Sequence, residues 1–395
     1  MSSNREIFLN HLGLPSKNPL GIEIESAKGI YMYDINGKEY IDMVSGVSVS
    51  NVGHRHPKIV QAIKTQLDKY MHLMVYGEII QSPQVQLAKK LTDNLPSSLD
   101  SVYFVNSGSE AIEGALKLAK RYTGKTEIIA FKNAYHGGTH GALSILGNES
   151  LKNAFRPLLP DIKQINFNSF NDISEISAKT ACVIVEAVQA EAGIILPEQH
   201  FLSALKERCT ETGTLLILDD IQMGFGRTGK LFSFENFDFI PDILAIAKGM
   251  GGGMPIGAFI SSKEIMDTLT FNPELGHITT FGGHPVCCAA GLANLEVIFE
   301  EKLADQANLK GSYLKEALAD IEQIKEIRQI GLMLGIELEN NDITDRIMNN
   351  FIEQGLISDR FLFMPHAFRI APPLNISQTE IEKTINLIKK CFQRI

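Results

Sequence analysis

The sequence predicts an α/β protein: a large, mostly parallel sheet, joined to a small α+β domain to which both chain ends contribute. Two observations carry the sheet. From about residue 100, short apolar runs alternate with stretches bearing an apolar stripe at helical spacing. Those runs are apolar throughout rather than at every second position, as in strands covered on both faces by helices. A third observation carries the small domain. Residues 20–45 alternate like an antiparallel sheet, and the chain after about residue 300 returns to a mixture of helices and strands.

Taken in order, Asn36-Gly37 supplies the tight turn of a hairpin. "SVYFVN" is the first buried strand and leads into a helix with Ile112, Ala115, Leu116 and Ala119 on one stripe. "EIIAF", "ACVIVEAV", "TLLILDDI", "DILAIA" and "IGAFISS" read as further strands of the same sheet, with ligands expected at the strand ends. The last helix opens on Ser377 and Glu380 at capping-box spacing, and its stripe runs through Ile381, Ile385, Ile388 and Phe392. The chain thus divides into a large domain over 51–295 and a small domain made of 1–50 and 296–395. The pattern contains no repeat and no low-complexity linker.

Composition excludes several classes of function. A hydrophobic content of 44% with 21% charged residues suits globular cores. The formal net charge of -9, with no Lys/Arg run, argues against a phosphate-backbone binder, so no nucleic acid is expected as partner. Cys182, Cys209, Cys287, Cys288 and Cys391 have no metal-ligand spacing and read as reduced thiols of a reducing compartment. "MSSNREIFLNHLGLP" lacks an apolar leader core, and no stretch approaches the ~20 apolar residues of a membrane span. A cytoplasmic protein without a membrane partner is expected. His136, His284 and the His54-x-His56 pair lack further ligands at metal spacing and read as packing or loop residues, with no metal.

"GFGRTGKL", residues 224–231, matches two phosphate-binding patterns, G-x-G-x-x-G and G-x-x-x-x-G-K, and fails both. The first needs a helix after its glycines, but "KLFSFENFDFIPD" has no helical stripe and stops at Pro241. The second needs Ser or Thr where Leu231 stands. Asp219 and Asp220 end one buried strand, and Lys248 ends the next before "GMGGGMP". Such charges either build a site or simply become solvated as the strands leave the core, and the pattern alone favours neither reading. "NSGSEAIEGALKLAK" adds Ser107, Gly108 and Ser109 between a strand and a helix N-terminus. There, free N–H groups and the helix dipole bind phosphate, or a serine merely caps the helix.

A phosphate cup, a strand-end acid and a strand-end lysine together suit pyridoxal 5'-phosphate. From "YDINGKEYIDMVSG" and "GHRHP" to "FRIAPPL" the chain resembles the class III aminotransferases of the ornithine, acetylornithine and 4-aminobutyrate type. The resemblance implies the type I fold of these transferases, with a seven-stranded sheet in the cofactor-binding domain. It implies that Lys248 bonds the cofactor covalently and then serves as the proton carrier, and that Asp219 pairs with the ring nitrogen. It places the phosphate on Ser107, Gly108 and Ser109, and Tyr135 and His136 in the ring-stacking segment "YHG". Ile221 falls on the other ring face and Gln222 on the ring oxygen. Thr280 of "TTFGGHP" would reach the phosphate of a neighbouring subunit, making a homodimer with active sites at its interface.

The same resemblance makes Arg369 the receptor of a substrate carboxylate and Glu191 the residue that pairs with it when an ω-amine is bound. Two departures concern specificity. Gly138 stands where the family's usual "HGR" carries an arginine for the distal carboxylate, and Val47 stands where ornithine enzymes carry a tyrosine. Ala187, Ala190, Asp220 and His284 also depart from the usual residues. The expected reaction is ping-pong transfer of an amino group from an ω-amino acid or related amine to a 2-oxo acid, with 2-oxoglutarate foremost. Rival readings are a same-fold aminomutase or decarboxylase, which needs no keto acid, and a non-catalytic regulator. The latter usually carries a DNA-binding domain, for which the segment before the first strand leaves no room.

Overall fold

The structure, a computed structural model, describes residues 3–395. After a helix over Asn4–His11 come three strands, β1 (Ile24–Lys28), β2 (Tyr31–Asp34) and β3 (Glu39–Asp42), antiparallel in sequence order. Asp34 Oδ1 accepts from the N–H groups of Asn36 and Lys38, and Gly37 takes a φ of 78°, which closes the turn between β2 and β3.

Seven strands follow: β4 (Ser101–Val105), β5 (Glu127–Phe131), β6 (Ile162–Ile165), β7 (Thr180–Val185), β8 (Leu215–Asp219), β9 (Ile243–Ile246) and β10 (Gly257–Ser261). They form one sheet in the order β4-β10-β9-β8-β7-β5-β6. Every neighbouring pair is parallel except those made by β10, which runs against both β4 and β9. Strands β7 and β8 are buried at every position, as their unbroken apolar runs require. The sheet edge β6 was not among the expected strands; "IKQI" sets two polar residues between its isoleucines and is only partly covered.

The helix Gly108–Thr123 packs on the sheet through Ile112, Ala115, Leu116 and Ala119, all buried. Each large apolar side chain so covered contributes about 1.5–3 kcal/mol. Gly114 lets the helix approach β10, because a Cβ there would stand 2.2 Å from Phe259 Cε1.

The rest of the chain adds β11 (Ile324–Ile330), β12 (Met333–Leu338), β13 (Leu356–Ile357) and β14 (Ala367–Ile370). β13 pairs parallel with β3, so the two chain ends share one sheet, while β11, β12 and β14 form a second, antiparallel one. The closing helix Gln378–Phe392 begins with the capping box of Ser377 and Glu380. The glycine loop 224–229 is a junction rather than a phosphate loop. Within it the fully buried Arg227 donates to the carbonyls of Leu332 and Pro372 and to Asn51 Oδ1, tying the large sheet's loops to both chain ends. No helix among the described residues is long and apolar enough to cross a membrane.

Candidate active site

Because β10 alone is reversed, its first residue, Gly257, lies beside the last residue of β4, Val105, at the edge where the parallel strands end. That edge holds a cavity of about 470 Å³. On one wall the helix Gly108–Thr123 opens, with Ser107 as its N-cap. Ser107 Oγ accepts from the Glu110 N–H at 3.2 Å, so an ordinary cap and an anion-binding helix end occur in the same loop. Gly108 and Ser109 line the cavity beside it, and Ser109 Oγ accepts from the Gly138 N–H at 3.2 Å. A Cβ on Gly108 would meet Ile221 at 2.9 Å, and one on Gly257 would meet the Ser107 carbonyl oxygen at 2.4 Å. Both positions keep the loop close to the sheet.

Asp219, the last residue of β8, lines the cavity floor. Its Oδ2 lies 2.8 Å from His136 Nδ1, and its Oδ1 accepts from the Ile221 N–H at 3.1 Å. A carboxylate can only accept, so His136 Nδ1 carries the donated proton. Asp220 points elsewhere: it is absent from the cavity wall and its Oδ2 accepts from the Ser233 N–H at 2.9 Å. Burial pushes the Asp220 carboxyl up to about 7, against the lowering effect of Ser233.

Lys248 follows β9 with a φ of 45°, a left-handed conformation that costs a non-glycine residue about 1 kcal/mol or more. It lines the cavity, and burial holds its ammonium below the usual lysine range, against the pull of Glu191 and Asp219. Tyr135, Ile221 and Gln222 also line the cavity, and Gln222 Nε2 is buried without a partner.

Glu186 escaped the sequence reading. It follows β7 as Asp219 ends β8, lines the cavity, and is buried with Oε2 unpartnered. Burial first, then the Asp219 and Glu191 carboxylates, raise it well above the usual carboxylate range. The signal was present: an acid immediately after a wholly apolar strand.

Arg369 and Glu191 meet, although neither is in the cavity wall itself. Arg369 Nη2 donates to Glu191 Oε1 at 2.9 Å and Oε2 at 3.0 Å, and both residues are buried. Arg369 Nη1 has no partner. The remaining sequence candidates stand apart. Val47 is half-buried and its neighbour Val49, not Val47, reaches the cavity. Gly138 is exposed, with nothing within 4 Å of a Cβ built on it. Thr280 is exposed on a segment that also exposes Phe271, Leu275, Ile278 and Phe281.

These residues fit pyridoxal phosphate. The helix N-terminus would take the phosphate, the bare Gly108 leaves room beside Ile221, Asp219 would face the ring nitrogen, and the orphaned Gln222 amide would find a ring oxygen.

The family model of class-III aminotransferases matches residues 14–392. The acetylornithine aminotransferase of Methanocaldococcus jannaschii is 39% identical, over 98% of this chain and 96% of that one. The [LysW]-aminoadipate semialdehyde/glutamate semialdehyde transaminase of Sulfolobus acidocaldarius is 36% identical, over 95% and 96% respectively. Among solved structures, the ornithine aminotransferase of Toxoplasma gondii, which holds PLP at partial occupancy in its active site, superposes with a TM-score of 0.92. It is 28% identical and covers 99% of this chain and 93% of its own.

Proposed function

We propose, from the premise that this chain belongs to the class-III aminotransferases, that its cavity transfers an amino group from an ω-amine to 2-oxoglutarate through the residues described above. The chain is a pyridoxal-phosphate-dependent transaminase of the type I fold, and its substrates are an amino donor and a 2-oxo acid. The bound cofactor supplies an electron sink for the carbanion left when the substrate carbon loses its proton.

The chain's residues supply the rest. Lys248 would hold the cofactor covalently, and its Nζ, when free, would take the proton from the donor carbon. Its lowered basicity leaves a larger neutral fraction to do so. Asp219, held by His136, keeps the ring nitrogen protonated. Ser107, Gly108 and Ser109 would hold the phosphate, and Tyr135 and Ile221 would pack against the ring. Arg369 binds the acceptor's carboxylate after Glu191 has moved aside, and Glu191 neutralises Arg369 while the donor is bound. The single observation that carries this reading is the convergence of Asp219, Lys248 and the helix N-terminus on one cavity.

Relatives named for acetylornithine support an ω-amino acid with a blocked α-amine as donor, and Val47 argues against free ornithine. We assign 51–295 to the cofactor-binding domain, and 1–50 with 296–395 to the small one. The exposed, partly apolar segment around Thr280 supports a homodimer in which Thr280 reaches the partner's phosphate site. Five unpaired, buried cysteines support a cytoplasmic location.

The test is to mix the holoenzyme with acetylornithine, ornithine, 4-aminobutyrate and lysine, and follow bleaching of the cofactor's visible band. Borohydride should fix the cofactor to the Lys248 peptide; labelling of another lysine would overturn that assignment. Turnover without any 2-oxo acid would instead point to an aminomutase or decarboxylase.

A further inference from the structure

Two carboxylates flank Arg369, and only Glu191 has a part in the function proposed above. The other is Asp359, whose Oδ1 stands 2.5 Å from Arg369 Nε. The approach lies off the N–H direction and leaves neither atom a well-formed hydrogen bond, so the contact is one of charge rather than of orientation. Oδ1 is buried while the side chain keeps 38% exposure. Water therefore reaches the other oxygen. Burial pushes the carboxyl up to about 6 against the pull of Arg369, which leaves it charged at neutral pH.

The segment that carries Asp359 is fixed. The Arg369 N–H donates to the Asp359 carbonyl at 3.0 Å, and Ser358 Oγ donates to the Arg369 carbonyl at 2.6 Å. Three residues on, the Leu362 N–H donates to Glu191 Oε2 at 3.1 Å, and the Phe361 ring lies 4.9 Å from the guanidinium carbon. Nε and Nη1 of the guanidinium are buried without a hydrogen-bond partner, and of the two only Nε has a carboxylate against it.

We infer that Asp359 is a specificity-determining residue that weakens the hold of Arg369 on a substrate carboxylate, biasing the site toward the amine donor and against the 2-oxo acid. The inference rests on the proposed roles of Arg369 and Glu191. When the acceptor arrives, Glu191 leaves with its charge, whereas Asp359 stays because its segment is bonded to the backbone of β14. The incoming anion then meets a guanidinium already countered at Nε. A like charge on the far side of the guanidinium, partly screened by water, changes affinity by ~3- to 10-fold.

Asp359→Asn keeps an oxygen beside Nε and removes only the charge. In the dimeric holoenzyme it should lower the KM for 2-oxoglutarate by ~3- to 10-fold, with kcat and the donor KM within about 2-fold of the wild type. Asp359→Glu should behave as the wild type. If Asp359→Asn does not fold, Asp359→Ser carries the same expectation. An acceptor KM that is unchanged or higher, or donor and acceptor KM falling together, overturns the inference. Arg369→Ala tests the reading beneath it. If that change leaves the acceptor KM unaltered, the carboxylate role of Arg369 fails. If it raises the KM while Asp359→Asn has no effect, only the role of Asp359 fails.

Discussion

His136 Nδ1 and Asp219 Oδ2 stand 2.8 Å apart, with side chains 0% and 5% exposed. In so buried a place an unpaired carboxylate would be costly, and the imidazole both pairs with Asp219 and orients it. Asp219 is thus aimed into the cavity from one oxygen held by His136 and another held by the Ile221 N–H.

Asp219→Asn removes the charge and keeps the shape. Turnover should fall by about 100- to 1000-fold, the scale of losing one preorganised electrostatic partner. Bound cofactor, read from its visible absorbance, should persist because the phosphate loop is untouched. Asp220→Asn should turn over nearly normally, since Asp220 points to Ser233. The opposite pair of results would exchange the roles of the two acids.

His136→Leu leaves Asp219 Oδ2 buried without its donor. A smaller loss of kcat, about 10-fold, is expected from one buried hydrogen bond. A variant as active as the wild type would mean that Asp219 holds its orientation without the imidazole.

Charges directly after wholly apolar runs marked Asp219 and Lys248 as candidates in the sequence, although that pattern alone does not distinguish a site from a strand end that becomes solvated; the same pattern in "ACVIVEAV" marks Glu186. Other parts were illegible for physical reasons. β6 is an edge strand whose two central residues are polar, so it carries no unbroken apolar run. β13 is two residues long and its pairing with β3 spans most of the chain, a relation that no local pattern encodes. Asp359 sits in an irregular loop, and its importance depends on where Arg369 comes to rest. Arg227 was hidden inside a glycine motif, although its buried guanidinium is what that loop is built around.

Gly257→Ala tests whether the phosphate loop depends on close backbone approach. The new Cβ would press on the Ser107 carbonyl oxygen at 2.4 Å, a backbone atom that cannot swing away. Cofactor affinity should fall by at least ~10-fold and stability by about 1–3 kcal/mol, measured by cofactor titration and by thermal melting. A variant with unchanged affinity would show that the loop has slack.

Asp220 makes a pH-dependent contribution whose sign is fixed by its folded-state value. Burial raises it from the ordinary 3.8 to about 7. Between those values the folded chain binds more protons than the unfolded one, so the contribution to stability is full below pH 3.8, declines as pH rises, and is lost above about 7. The rise of about 3 units sets a ceiling of about 4 kcal/mol. Asp220→Asn should therefore melt higher than the wild type at pH 8, by a few degrees, with the difference shrinking toward pH 5. A difference independent of pH would assign the effect to packing instead.

The last prediction concerns the acceptor. The resemblance to the class III aminotransferases leads to the expectation of an arginine where Gly138 stands, and the glycine is not there for want of room. It is exposed, and nothing lies within 4 Å of a Cβ built on it. The wild type should accept 2-oxoglutarate if, as proposed, the Glu191–Arg369 pair serves a site that alternates between an ω-amine and an α-carboxylate. Without the arginine, its preference for 2-oxoglutarate over pyruvate should be narrow. Gly138→Arg supplies a charge-assisted hydrogen bond of about 1.5–3 kcal/mol to the second carboxylate, which widens that preference by roughly 10- to 100-fold in kcat/KM. The gain should lie in the 2-oxoglutarate arm, with pyruvate unchanged. If the wild type already excludes pyruvate and Gly138→Arg alters neither arm, another cation fills the place of the missing arginine.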